Sequence, residues 1–182
     1  DNVFPPAKLV PWRNNNKAVD GPTPTYTNAI VEDTAMETHL AELHDLVSTS
    51  SGMAEAVILL KVWCRQRQFT AQQPDAVNPF ILSMILLHLV RTRVIFKSMS
   101  SYQAVRLLMD YLTKTDLATD GICVGAAKQP ADMKRFHEHF DVVCLDSSGR
   151  LNLAGRVSRH AFNELRHEAQ LTAAQIESTR VD

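Results

Sequence analysis

The 182 residues are 45% hydrophobic and 21% charged, which excludes a disordered or collagen-like chain and suits one domain. Nineteen basic residues against twenty acidic ones leave a net charge of -1, so any nucleic-acid contact must be local or shared with other parts of a larger protein. Three cysteines, Cys64, Cys123 and Cys144, are too few and too scattered for a disulfide framework or a zinc knuckle. Each lies in an apolar run and reads as a small buried side chain in a reducing compartment.

The chain opens at Asp1 with no signal-peptide pattern, and it is expected to be a piece of something longer. Pro5, Pro6, Pro11, Pro22 and Pro24 argue against a long helix at the start, and Asn14 to Asn16 reads as a loop. Lys8 to Val10 could be a short edge strand. Residues 1–25 are therefore expected to be an extended linker carrying the last strand of a preceding domain, and residues 26–182 a helical domain.

The first helix is expected from Asp33 or Thr34, where Thr34 and Glu37 have the spacing of a capping box. Met36, Leu40, Leu43 and Val47 give it one apolar stripe. A second helix, about Met53 to Gln68, is apolar around most of its circumference and is predicted to be central. A third, Pro79 to about Phe96, has Asn78 as cap and Pro79 in its first turn. Its longest apolar stretch is well short of the ~20 residues of a membrane span, so a buried core helix is expected. Ser100 or Ser101 caps a fourth helix with Tyr102, Val105, Met109 and Leu112 inward. After it come a strand candidate at Ile122 to Val124, a short helix from Met133 to Phe140, and a strand over Asp141 to Leu145. The turn Asp146 to Gly149 into Leu151 to Leu153 makes a β-hairpin plausible. Ser158 caps a last helix with Phe162, Leu165, Ala169, Thr172 and Ile176 at helical spacing. The fold class is mainly α (α+β), a bundle of about five helices with a small β-hairpin or sheet.

Catalytic and phosphate-binding motifs are missing: no G-x-G-x-x-G, P-loop, H-E-x-x-H, C-x-x-C or G-x-S-x-G. The histidine pairs His39/His44, His137/His139 and His160/His167 lack the spacing or the companion ligands of a metal site. Asp141 and Asp146 do not form the close carboxylate pair that two magnesium ions require. No catalytic residue, metal or cofactor is expected. The residues with nucleic-acid character are Lys61, Arg65, Arg67, Arg91, Arg93 and Lys97, near the C-terminal ends of two consecutive helices. Should those ends meet, the six would form a basic patch able to touch phosphates. Complementarity to the negative ends of the helix dipoles accounts for the same residues without RNA.

Five stretches, in order, carry a resemblance to a known family. They are Pro24-Thr25-Tyr26 with Asp33-Thr34; Leu59 to Arg67, reading LLKVWCRQR; Ser100 to Gln103; Thr113 to Leu117; and Leu145 to Gly149 followed by Leu151 to Leu153. Together they resemble the nucleolar protein 6, or Nrap, family from about residue 8 to 175. Within it the chain is similar to the second domain, a helical unit following a nucleotidyltransferase-like domain and akin to the helical domain of poly(A) polymerases and oligoadenylate synthases. Arg156-Val157-Ser158 also resembles poly(A) polymerases. The resemblance implies tandem nucleotidyltransferase modules that have lost catalysis, a nucleolar location, and partners among pre-ribosomal RNA, small-subunit processome proteins and other domains of the same parent chain, with no membrane. The expected function is a non-catalytic RNA-associated scaffold domain in pre-ribosomal RNA processing. The alternatives are the helical half of an active template-independent nucleotidyltransferase and a protein–protein adaptor without RNA contact.

Overall fold

A computed structural model describes residues 23–69, 75, 77–125 and 133–178. The proposed strand at Lys8 to Val10 and the linker before residue 23 lie outside the described residues. Among the described residues six helices and two short strands follow in order: α1 (Pro24–Ser48), α2 (Ser51–Gln66), α3 (Pro79–Arg91), α4 (Ser101–Lys114), β1 (Ile122–Cys123), α5 (Met133–His137), β2 (Cys144–Leu145) and α6 (Arg159–Ser178). The predicted class, mainly helical with a small sheet, is the one observed.

The first helix starts earlier than the sequence suggested. Thr23 is its cap, accepting a hydrogen bond from the Tyr26 amide at 3.2 Å, and Pro24 occupies the first turn, where its missing N–H costs nothing. Thr34 caps nothing; in mid-helix its hydroxyl donates to the Val31 carbonyl at 2.9 Å. The apolar stripe is also corrected: Met36 and Leu40 face solvent, Leu40 being 56% exposed. The buried residues of α1 are Thr27, Asn28, His39 and Leu46.

Ser50 caps α2 by accepting from the Met53 amide. This helix is not surrounded. Met53, Ala56, Leu60, Trp63 and Cys64 are buried, whereas Ile58, Leu59 and Val62 are exposed on the opposite side. The central helix is α3, in which every residue from Ile81 to Leu89 is buried. It ends at Arg91 rather than near Phe96, because Arg93 turns into the left-handed region (φ 62°) and the amides of Val94 and Ile95 both bond the Leu89 carbonyl. The Ser100 cap of α4 is complete, with Gln103 returning a side-chain bond to the Ser100 amide. Its inner face is Ala104, Leu108, Met109 and Leu112, so the sequence placed Met109 and Leu112 correctly while Tyr102 is exposed.

α4 packs most extensively on α6 and on α2. The indole of Trp63 closes the α2–α6 contact, donating to the Thr172 hydroxyl at 2.9 Å. Ser158 caps α6 through the Ala161 amide, as its position predicts. Among the described residues no single helix is long and apolar enough to cross a membrane.

The sheet adds a parallel pair to the expected hairpin, whose arms are joined by the Asp146 amide bonding the Leu151 carbonyl and the Leu153 amide bonding the Cys144 carbonyl. β1 and β2 run parallel, Ile122 opposite Cys144 and Cys123 opposite Leu145. The strand after the Asp146 turn contributes one antiparallel bridge, Leu145 with Asn152. The reason is a side chain: the Asn152 Oδ1 accepts from the Cys144 amide at 2.9 Å and so replaces a ladder bond. Ile122 and Cys144 belong to the main core, while Cys123 and Leu145 face a smaller cluster with Met133, Phe136, Phe140 and Val143. Cys123 and Cys144 thus lie on opposite faces of the sheet. All three cysteines are free and buried, and burial pushes the Cys64 and Cys144 thiols up to about 12.

Candidate nucleic-acid interface

The six cations do not form one patch. Ser50, the cap of α2, donates from its hydroxyl to the Lys97 carbonyl at 2.7 Å, and the Lys97 ammonium donates to the Thr49 hydroxyl at 2.7 Å. The turn after α3 therefore sits at the N-terminal end of α2. Arg65 and Arg67 lie at its other end, and α2 has 16 residues, a length of about 24 Å at 1.5 Å per residue.

At the far end, Arg67 is half-buried. Its Nε donates to the Glu168 carboxylate at 2.9 Å, and its guanidinium lies 5.0 Å from the Trp63 ring centre. That geometry ties α2 to α6 and makes Arg67 a packing residue. Lys61 and Arg65 are exposed on the outer side of α2, beside Ile58 and Val62.

At the near end, Arg91 donates to the Glu42 carboxylate at 3.1 Å, pinning α3 to α1. The stem of Arg91 crosses Gly125, where a Cβ would stand 2.7 Å from the Arg91 Cδ; with φ at +78° as well, this position requires glycine. Lys97 lies 3.7 Å from the Asp45 carboxylate, an exposed pair that solvent screens. Arg93 is exposed and makes no ion pair among the described residues. Val94 and Phe96 stand beside it, 45% and 52% exposed. These two were missed because an uninterrupted α3 would have carried them into the core.

A second polar centre joins α1 to the turn after β2. The Asp146 carboxylate accepts from the Ser148 hydroxyl and from the amides of Arg150 and Leu151, and faces the His39 Nε2 at 3.4 Å. Burial raises its pKa, but the bonds from His39, Ser148, Leu151 and Arg150 outweigh that and hold it below the ordinary carboxylate value. Close by, Asn28 and Asn152 exchange two bonds, side chain to backbone, each at 2.9 Å. The Asn152 side-chain Nδ2 also donates to the Val142 carbonyl. Both centres hold the fold. His88 is buried against β1, its Nδ1 3.1 Å from the Cys123 carbonyl, and burial lowers its pKa. Among the described residues no three histidines, cysteines or acids converge on a common point that could hold a metal.

The family described as Nrap protein PAP/OAS-like domain matches residues 52–182. Nucleolar protein 6 of Homo sapiens is 37% identical over 196 aligned residues, covering 100% of this chain and 17% of the human protein. The Mus musculus protein of that name is 36% identical over 193 residues, again 100% and 17%. The Drosophila melanogaster protein is 28% identical over 191 residues, covering 98% of this chain and 16% of its own length. The chain therefore spans about a sixth of these curated relatives. The family match takes in every element from α2 to α6, including the Asp146 turn and both groups of cations, and on that ground the chain belongs to the Nrap family.

Proposed function

We propose that this domain is a non-catalytic, RNA-associated scaffold module of a nucleolar protein that acts in ribosome biogenesis, as part of the small-subunit processome and in pre-ribosomal RNA processing. Its partners are pre-ribosomal RNA, processome proteins and other domains of the same parent chain. The observation carrying the reading is the family membership together with the full-chain similarity to proteins named nucleolar protein 6. The chemistry of the interior agrees with it. Asp146 and His39, groups that could otherwise serve in proton transfer, face each other at the joint between α1 and the β2 loop, which Asn28 and Asn152 reinforce.

Two experiments on the full-length protein test this. Crosslinking and sequencing of bound RNA in cells is expected to return reads concentrated on pre-ribosomal RNA; reads at the 3′ ends of many transcripts would overturn the proposal. Incubation with RNA, magnesium and each nucleoside triphosphate is expected to leave the RNA length unchanged. Template-independent extension would sink the non-catalytic part.

A further inference from the structure

Between Arg91 and Lys97 the chain carries three cations, an aromatic ring and no acid. The tertiary structure turns this segment outward. Ile95 is fully buried and anchors it, so its neighbours Val94 and Phe96 project into solvent. The backbone is fixed on both sides of Phe96: Val94 and Ile95 bond Leu89, Met99 bonds the Phe96 carbonyl at 2.9 Å, and Ser50 bonds Lys97. The ring is thus presented on a preorganised tip.

The residue at the apex has an unusual backbone. Arg93 holds φ at 62°, the position after a helix end where glycine is the favoured residue. A β-carbon there is unfavourable, and the guanidinium gains no ion pair among the described residues in return. Among the described residues no hydrogen bond or ion pair accounts for an arginine at this point. We infer that the tip formed by Arg93, Phe96 and Lys97 is a contact for single-stranded RNA, with Phe96 stacking on a base and the two cations meeting the flanking phosphates. This inference rests on the RNA-associated reading above. A protein anchor would want the ring at the centre of a wider apolar surface. Here Phe96 has only Val94 beside it as an exposed large apolar neighbour in the turn, with cations on either side, the arrangement that single-strand binders use. Acids are nearby, but Glu42 is occupied by Arg91 and Ser147, and Asp45 meets Lys97 only across an exposed 3.7 Å pair.

The test uses the full-length protein and a fluorescent oligouridylate, read by anisotropy over a range of salt. Phe96→Ala is expected to weaken binding about tenfold, within the range for one stacked base, and Phe96→Tyr to retain it. Arg93→Gly is expected to weaken binding and flatten the salt dependence by about 0.7 in log–log slope, one phosphate of a single strand. The same variant should unfold at an equal or higher temperature, since glycine relieves the backbone, which separates RNA contact from folding. Unchanged binding in Phe96→Ala and Arg93→Gly, with the parent still binding RNA, would overturn this inference and leave the proposed function standing. Loss of a processome protein with RNA binding intact would make the tip a protein anchor and overturn it too. A parent that binds no RNA would remove the proposed function itself.

Discussion

Helices α1 and α3 bury themselves by opposite means. α3 is enclosed by apolar side chains on every side, from Ile81 to Leu89, with only Ser83 and His88 polar. α1 is the longest helix of the domain, at 25 residues, yet of its four buried residues three are polar. Its apolar Met36 and Leu40 look outward, while Asn28 and His39 reach the loop after β2 by hydrogen bonds. One helix is held by area removed from water and the other by specific polar contacts. Burial of apolar area tolerates rotation of a helix; a two-way amide exchange such as that of Asn28 with Asn152 does not, so α1 is the element whose register is set most narrowly.

The largest effect that could break this contrast lies in α3. Leu86→Ala removes a fully buried side chain and is expected to cost about 2–5 kcal/mol in urea denaturation, whereas Leu40→Ala on α1 should stay within about 0.5 kcal/mol. Equal costs would dissolve the distinction. Asn152→Ala comes next. It strips the bonds to the Cys144 amide and the Val142 carbonyl, leaving buried partners unmet, and a loss of about 3 kcal/mol is expected. A cost below about 1 kcal/mol would mean water replaces that side chain.

Acid should act through the buried titratable groups of both regions, His88 in α3 and Asp146 at the joint with α1. The His88 pKa is lowered in the folded domain, so the unfolded chain binds its proton more readily and stability falls as pH drops below about 6.5. Asp146, held low, contributes stability that is present above its unfolded value near 3.8 and is lost as pH falls further. Two successive declines are expected in the denaturation midpoint; burial lowers the His139 pKa as well, so His88→Gln should shrink the first without abolishing it. A midpoint flat from pH 7 to 5 in the unaltered protein would contradict it. The smallest test concerns the start of α1. Thr23→Ala should cost about 1 kcal/mol by removing the cap, and Thr34→Ala only a few tenths; the reverse order would restore the later start.

Helix existence and the inner face of α6 were legible from residue spacing, because burial on one face leaves a period that composition cannot hide, whereas α3 was legible as an unbroken apolar run. The caps Asn78, Ser100 and Ser158 had local signatures. Thr23 was obscured by the prolines around it. The LLKVWCRQR segment carried the family but misled about burial: Leu59 and Val62, like Ile58 just before them, are apolar and still face outward, since apolar residues are not obliged to be inside. For the cations, the sequence showed two basic helix ends but could not show that α2 and α3 carry them to opposite ends of α2. Only chain reversal between the helices decides that.

By itself, then, the amino-acid order determined the helical class, the buried state of the cysteines and the kinship with Nrap proteins. Each follows from local chemistry or from motif identity. Tertiary structure alone decided the parallel β1–β2 pairing, the polar face of α1, the separation of the basic residues, and the outward turn of Val94 and Phe96. These depend on contacts between positions far apart in sequence, such as Asn28 with Asn152 and Ser50 with Lys97, and no local pattern encodes a partner so distant.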